Sequence, residues 1–490
     1  MKMILKRNHK ILALIFLLVL LIRIYFIFQA PYFDNSGYLV KRYTENILEN
    51  GKPVLFDQLS YNGRETLYSP LWHYILAFFS LFLGEIAFKL MPNIFISLLV
   101  FVIYLLSKKI IDNDELAFFI ALMSGVVPII FVNTLISISV YSLVIPLMFY
   151  LLYLFMDIDE KKVIRFVILS FFLSLLHPVS MLFSLSLLVY YIMCSSENLE
   201  IENLKKEVMV FNFISTFFIQ FLIYKKAFLE YGIGVIWSNV PAQIISNYFS
   251  FDILNFLYNA GALTFIFGLV GIIYGIIRKK DKILLLSGLA LATLILLWLR
   301  LIELKTGLMF LSIALVIASA FTLNLFLVYL GKTKIPYYRL SFVFIVLSLI
   351  VLSLAVPSFV FASKYAKENI PSDYEVLVFN WIRENALPDV TVLSPLGKGH
   401  YISGIAGKRT VIDDNFLLAP STTERYQDVE KIYQTSSEFE ALELIHKYNI
   451  DYIFIPIDTE LKYGKIKWID DENCFRGIFF GTPKVYQVIC

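Results

Sequence analysis

A carboxylate stands at the border between apolar and polar chain. Tyr32-Phe33-Asp34-Asn35-Ser36-Gly37-Tyr38 directly follows the apolar run Ile11 to Phe28. Asp34 is placed where an enzyme would hold a carboxylate if its substrate kept a lipid tail in a bilayer and a polar head outside. Asp, Asn and Ser are also the common helix N-caps, and the pattern predicts a helix beginning here. Asn35 or Ser36 would cap equally well, so capping alone does not call for Asp34. Further along, Arg300 closes an apolar run. A long arginine can snorkel to the interface from such a place, or its planar fork of donors can meet a lipid phosphate. His177-Pro178 breaks another run. The proline accounts for a kink or turn, and His177 could be a donor or proton carrier facing the same cavity. Glu230 and Asn133 are candidates of the same kind, and His73 reads as a surface residue.

The elements that would position these groups belong to a membrane. The chain has 490 residues, 59% hydrophobic and 17% charged, with a mean hydropathy of +0.74. Such values describe a polytopic membrane protein, not a soluble globule. A net charge of +3 is too small to point to nucleic acid, and three cysteines imply no disulfide framework. A spanning helix takes about 20 mainly apolar residues. Eleven runs qualify or nearly so: 11–28, 86–107, 116–132, 135–156, 163–177, 178–194, 209–224, 257–277, 283–300, 307–330 and 340–362. The run Leu71 to Leu83, opened by Ser69-Pro70 and closed by Gly84, is short and reads as a re-entrant or interfacial helix.

Basic residues orient the chain. With the N-terminus inside and 71–83 left on the outer surface, inner loops hold Lys108-Lys109, Lys161-Lys162, Lys205-Lys206, Arg278 to Lys282, and Lys332 with Lys334. Lys225-Lys226 is the exception. Counting 71–83 as a span would flip every later loop outward, against the positive-inside rule. The outer segments are then 29–85, 225–255 and the tail 363–490. Two domains are expected, 1–362 with its outer loop and an α/β tail at 363–490, with the tail outside the cell membrane.

Within the first loop, Leu39, Tyr43 and Ile47 recur every four residues and predict an amphipathic helix lying on the membrane. Asn50-Gly51-Lys52-Pro53 stops it, and 57–68 reads as polar loop. In the tail, helices over 374–385 and 438–448 alternate with strands over 390–393, 410–412 and 451–455, which predicts a mostly parallel sheet. Strands closing an edge are expected from Lys465 onward, and Cys474 and Cys490 could bond. Pro395 to Gly404 is a glycine-rich turn region that lacks the strand–glycine–helix setting of a nucleotide fingerprint.

Taken together, the chain resembles GT-C glycosyltransferases, multispanning enzymes that use polyprenyl-phosphate or polyprenyl-pyrophosphate sugar donors outside the membrane. Phe33 to Tyr38, continuing through Tyr43 to Gly51, is similar to their first outer loop, and Tyr68-Ser69-Pro70-Leu71-Trp72 resembles the turn that follows. Gly399 to Ser403, Gly407 to Asp413 and Ala441 to Phe454 look like the outer domain of archaeal oligosaccharyltransferase catalytic subunits.

The resemblance implies a sugar transfer from a polyprenyl- or dolichyl-phosphate donor to a glycan, lipid or protein acceptor. Asp34 would be general base, inverting the anomeric centre, and Arg300 with His177 would meet the donor phosphate. Tyr38, Arg64, Glu230, His400 and Tyr401 would line the site. No cofactor is expected. Two departures matter. Ser394 to Gly399 lacks the Trp-Trp-Asp that grips an Asn-x-Ser/Thr acceptor, and Asn133 to Tyr141 has no carboxylate for a metal. They fit a metal-independent sibling with another acceptor. The alternatives are an oligosaccharyltransferase acting on Asn and a lipid-glycan flippase. A flippase is disfavoured by spans with few mid-membrane charges.

Overall fold

The computed structural model describes residues 2–248, 252–332 and 339–490. Lys334 and the stretch 249–251 of the second outer segment lie outside the described residues. The chain divides into two compact units, each assembled from three stretches.

The first unit comprises Met1–Pro31, Phe82–Leu222 and Tyr248–Ala366. All eleven apolar runs are helical for most of their length. Among the described residues, six helices are long and apolar enough to cross a membrane, and Tyr141–Met156, Ser180–Ser196 and Ala262–Ile277 are shorter apolar helices. Four runs are not continuous helices as expected: 86–107 is interrupted at Leu98, between Ile86–Ser97 and Leu99–Ile111, and 257–277 at Gly261, between Ile253–Ala260 and Ala262–Ile277. The run 116–132 divides into Asp114–Gly125 and Pro128–Asn133, because Pro128 cannot continue a preceding helix and disfavours helical geometry just before it. The run 135–156 becomes helical only at Tyr141.

Arg23 explains how the unwound part is held. It is 1% exposed. Its Nε donates to Asn93 Oδ1 at 2.8 Å, and its Nη2 donates to Thr134 O at 2.8 Å and to Thr134 Oγ1 at 2.7 Å. Thr134 is the C-cap of the short helix, so the cation sits at the negative end of a helix dipole. Helices Ala262–Ile277 and Leu304–Gly331 pack backbone to backbone. A Cβ at Gly268 or Gly271 would run into the carbonyl oxygens of Leu315 and Ala318, the small-residue contact common between membrane helices.

The second unit comprises Tyr32–Leu81, Ile223–Asn247 and Lys367–Cys490. Its centre is a five-stranded sheet in the order Arg409–Thr410, Thr391–Leu393, Tyr452–Ile455, Lys484–Val488, Phe475–Phe479. The first three strands are parallel and the last two form an antiparallel hairpin at the edge, as expected from sequence. Helix Asp373–Asn385 starts with a full capping box between Ser372 and Glu375 and buries Val378, Phe379 and Ile382 against Val392, Phe454 and Val485. Each such side chain is worth about 1.5–3 kcal/mol of burial. Cys474 and Cys490 are bonded.

The structure departs from three local expectations. The amphipathic stripe of helix Asn35–Asn50 is covered by protein: Tyr43 and Ile47 are buried, and the Tyr43 ring lies 5.0 Å from that of Tyr68. His73 is not a surface residue but 8% exposed, its ring 4.8 Å from Tyr68. Trp72, His73, Leu76, Ala77 and Ser80 form the inward face of helix Leu71–Leu83, and Phe78, Leu81 and Phe82 form the outward apolar one. Residues 57–68 are not plain loop but hold a small hairpin, Phe56–Asp57 against Arg64–Glu65.

Candidate functional site

Asp34 is the N-cap of helix Asn35–Asn50, and its Oδ1 accepts from Gly37 N at 2.8 Å and from Ser36 Oγ at 3.0 Å. The carboxylate is 5% exposed. Gly37 is required here, since a Cβ would lie 2.9 Å from that of Phe33 and 3.0 Å from Asp34 Oδ1. Two donors on one oxygen fix the plane of the group, so capping and presentation are one arrangement. The next residue ties this corner to the tail. Asn35 Oδ1 accepts from His400 N at 3.1 Å, and Asn35 Nδ2 donates to Asp414 Oδ2 at 3.2 Å.

His400 is fully buried between two carboxylates. Its Nε2 lies 2.7 Å from Asp414 Oδ1 and its Nδ1 lies 3.8 Å from Asp413 Oδ2. Burial opposes a charged imidazole, but Asp413 and Asp414 outweigh it, and the pKa rises above the ordinary 6.5. Asp414 is held below the ordinary carboxylate value: burial works against this, and the charge of His400 prevails.

The two groups give stability opposite pH dependences. The His400 contribution is complete below pH 6.5 and is lost as pH rises through the raised value; that of Asp414 is lost as pH falls through its lowered one. The melting temperature is therefore expected to fall as pH is raised from 6.5. His400→Gln should flatten that limb. An unchanged slope in His400→Gln would assign the limb to another group.

Asp413 is the hub beneath. It is fully buried and accepts from Ser60 Oγ at 2.5 Å and from Asn415 N at 3.0 Å. Arg64 donates Nε to Ser60 Oγ at 2.7 Å and Nη1 to Leu417 O at 2.7 Å, with Nη2 3.9 Å from Asp413 Oδ1. Tyr61 donates its hydroxyl to Asp413 O at 2.7 Å. Tyr61, Asn62 and Gly63 take left-handed backbone, which lets Asn62 N reach Thr410 O at 3.2 Å while Thr410 N reaches Leu59 O at 2.9 Å. The first outer loop thus covers the open edge of the sheet, where unpaired backbone would invite foreign strands.

Of the residues singled out from sequence, Asp34, Tyr38, Arg64, His400 and Tyr401 meet in this unit. Tyr38 and Tyr401 pack edge to face at 5.5 Å, and the Tyr401 hydroxyl donates to Asn369 O at 2.9 Å. Both read as walls. Gly399 is explained by close approach, because a Cβ there would collide with Ile412 O and with Asp413. Lys398 beside it is spent on Glu375 at 2.7 Å. Glu230 is exposed on helix Asn203–Tyr231. Asp413 and Asp414 are functional candidates that the residue types alone did not single out; their signal is two adjacent carboxylates leaving the apolar segment Val411-Ile412.

His177 and Arg300 belong to the first unit. His177 caps helix Glu160–Leu176, its Nδ1 accepting from Val179 N at 3.1 Å and its ring 4.9 Å from Tyr141. Asn133 Nδ2 donates to Ile129 O within its own helix. Arg300 is exposed and adopts φ 56°. Its N–H bonds Leu297 O and that of Leu301 bonds Leu296 O, the paired closure that usually places glycine at this position.

Arg300→Gly therefore removes the guanidinium while suiting the turn. The melting temperature should hold or rise, and transfer should fall by roughly 10–100-fold if a charged hydrogen bond of about 1.5–3 kcal/mol is lost. Unchanged turnover would leave Arg300 a snorkelling side chain.

No sequence family profile matches the chain, and no curated protein matches it. Solved structures do. The archaeal oligosaccharyltransferase AglB from Archaeoglobus fulgidus, in complex with an inhibitory peptide and a dolichol-phosphate, matches at TM-score 0.68 and 14% identity, over 95% of this chain and 72% of that one. ArnT from Cupriavidus metallidurans bound to undecaprenyl phosphate matches at TM-score 0.57 and 12% identity, over 98% of both chains. The mycobacterial arabinofuranosyltransferase AftD matches at TM-score 0.58 and 11% identity, over 98% of this chain and 41% of that one. The chain has a GT-C-like fold, a helical membrane part joined to an α/β tail. It is a multi-pass membrane protein.

Proposed function

We propose that this protein is a glycosyltransferase that moves a sugar from a polyprenyl- or dolichyl-phosphate donor to an acceptor at the outer face of the membrane. The observation that carries the reading is the likeness over 95–98% of the chain to structures that include complexes with a dolichol-phosphate and with undecaprenyl phosphate. Asp34 is the general base. It takes the proton of the acceptor hydroxyl as oxygen attacks the anomeric carbon and the bond to the lipid phosphate breaks. A single displacement at one carboxylate inverts that carbon, unlike a pair of carboxylates working through a glycosyl-enzyme. The leaving phosphate needs no strong acid, and Arg300, supported by His177, offsets its charge.

Asn133 to Tyr141 offers only amide, hydroxyl and backbone oxygens and no carboxylate, a poor donor set for a divalent metal. Transfer is accordingly proposed to be metal-independent. The N-terminus is placed in the cytoplasm and the tail outside, and cysteine accessibility at Lys279 tests that orientation.

The deciding assay is transfer from radiolabelled polyprenyl-phosphate sugars by purified protein, with and without EDTA. Transfer that survives EDTA supports the reading. Loss in EDTA together with a glycopeptide product would favour an oligosaccharyltransferase, the reading to which the AglB likeness points.

A further inference from the structure

A second binding place lies in the first unit, between helices Ser180–Ser196 and Asn203–Tyr231 and the turn that joins them. Two cavities meet there. One, of 500 Å³, is lined by Leu187, Leu188, Met209, Val210 and Phe213, with Ser184 at its far end. The other, of 520 Å³, is lined by Ser195, Asn198, Glu200, Asn203 and Lys206. They share Tyr191 and Lys206, so an apolar trough runs into a polar mouth. Both volumes are in the usual range for small-molecule sites. The hydroxyl of Ser184 is taken by Asn212 Oδ1 at 2.8 Å, which leaves that end of the trough without a free polar group. The rim opens outward, with Val210 59% and Phe213 50% exposed.

The mouth carries the chemistry. Lys205 is paired with Asp281, and Lys279 with Glu197. Glu200 and Lys206 line the same cavity, yet among the described residues neither forms an ion pair with the other or with anything else. One exposed positive and one exposed negative charge, both unpaired among the described residues, line the mouth of an apolar trough and complement a zwitterion with a hydrocarbon tail. We propose that this groove holds one molecule of a membrane phospholipid bearing a headgroup amine. Its phosphate lies on Lys206, its ammonium on Glu200, and one chain lies along Leu187 and Met209. This site is independent of the transferase reading and uses none of its residues.

Native mass spectrometry of the full-length protein, loaded in detergent with equimolar phosphatidylethanolamine, phosphatidylglycerol and polyprenyl phosphate, tests it. One phosphatidylethanolamine should be retained at least fivefold over phosphatidylglycerol. Glu200→Gln should abolish that preference, Lys206→Gln should lower retention of both phospholipids, and Val210→Trp, which fills an exposed wall, should empty the groove. Folding of the variants is checked by melting in detergent without added lipid. Equal retention of all lipids, or a preference that the three variants leave intact, would overturn the site and mean annular lipid only. Retention of polyprenyl phosphate in place of the phospholipid would overturn it in favour of a donor-tail channel.

Discussion

Asp34→Asn is expected to lower transfer by about 10²–10⁴-fold, the usual contribution of a positioned general base, while melting stays within a degree or two of the parent. The separation is possible because of what Asp34 Oδ1 does. It caps a helix through Gly37 N and Ser36 Oγ, and asparagine caps about as well as aspartate. Asn removes the charge and keeps the acceptor. Asp34→Ala removes both, and should add a stability loss of about 1 kcal/mol for the missing cap. Steady-state transfer beside thermal unfolding, over parent, Asn and Ala, distinguishes the roles. Near-normal turnover in Asp34→Asn would end the assignment of the base. A loss shared equally by activity and melting would reduce Asp34 to a cap.

The largest stability effect should come from Asp413→Ala. Its side chain is fully buried and serves Ser60, Asn415, Arg64 and His400 at once. Removing it leaves the buried Arg64 guanidinium without its counter-charge and the Ser60 hydroxyl without its acceptor, and breaking such a network from one side costs about 3–5 kcal/mol. For a unit of this size that corresponds to a fall in melting temperature of roughly 6–20 °C. Limited proteolysis should then open the loop around residues 57–68 first, since that stretch is pinned by Ser60, Tyr61 and Arg64. The double change Arg64→Met with Asp413→Leu should recover the part of the loss that the orphaned guanidinium causes, because an apolar replacement of both leaves no unpaired cation, while Ser60 Oγ and Asn415 N still lack their acceptor. A loss under about 1 kcal/mol in Asp413→Ala would show that the loop is held by backbone pairing with Thr410 alone.

Local signals in the sequence proved reliable where one physical cause dominated. Helix Leu71–Leu83 falls on the residues bounded by Pro70 and Gly84, and Gly51 ends its helix in the left-handed conformation with its N–H on Ile47 O. The strands at 391–393 and 452–455 were legible because both are short apolar stretches buried throughout. Helix Thr422–Gln434 was not, since it buries only Thr422, Val429, Ile432 and Tyr433 and is otherwise polar. Residues 395–404 read as a turn region from their glycines, yet 399–406 form a helical turn running into a π-helical one, where Gly399 and Gly404 serve close packing against Ile412 and Tyr38. His73 was misjudged because a polar side chain suggested exposure, whereas the aromatic rings of Tyr43 and Tyr68 lie against it. No periodicity could link Arg64 to Leu417, 353 residues away. Asp34 was legible as both cap and candidate base, and the structure confirms the first role.

The second unit is also a matter of time. Ser60 and Asp413 are separated by 353 positions, so at synthesis rates of about 5–20 residues per second the loop waits roughly 20–70 s for the carboxylate that completes it. During that interval it has already left the ribosome with the buried-state partners of Arg64, Tyr61 and Asn62 not yet made. Maturation of this protein is thereby gated by its last quarter. A chain released early, or stalled before residue 413, would carry an unpaired first loop, a ready mark by which quality control can tell an unfinished copy from a finished one.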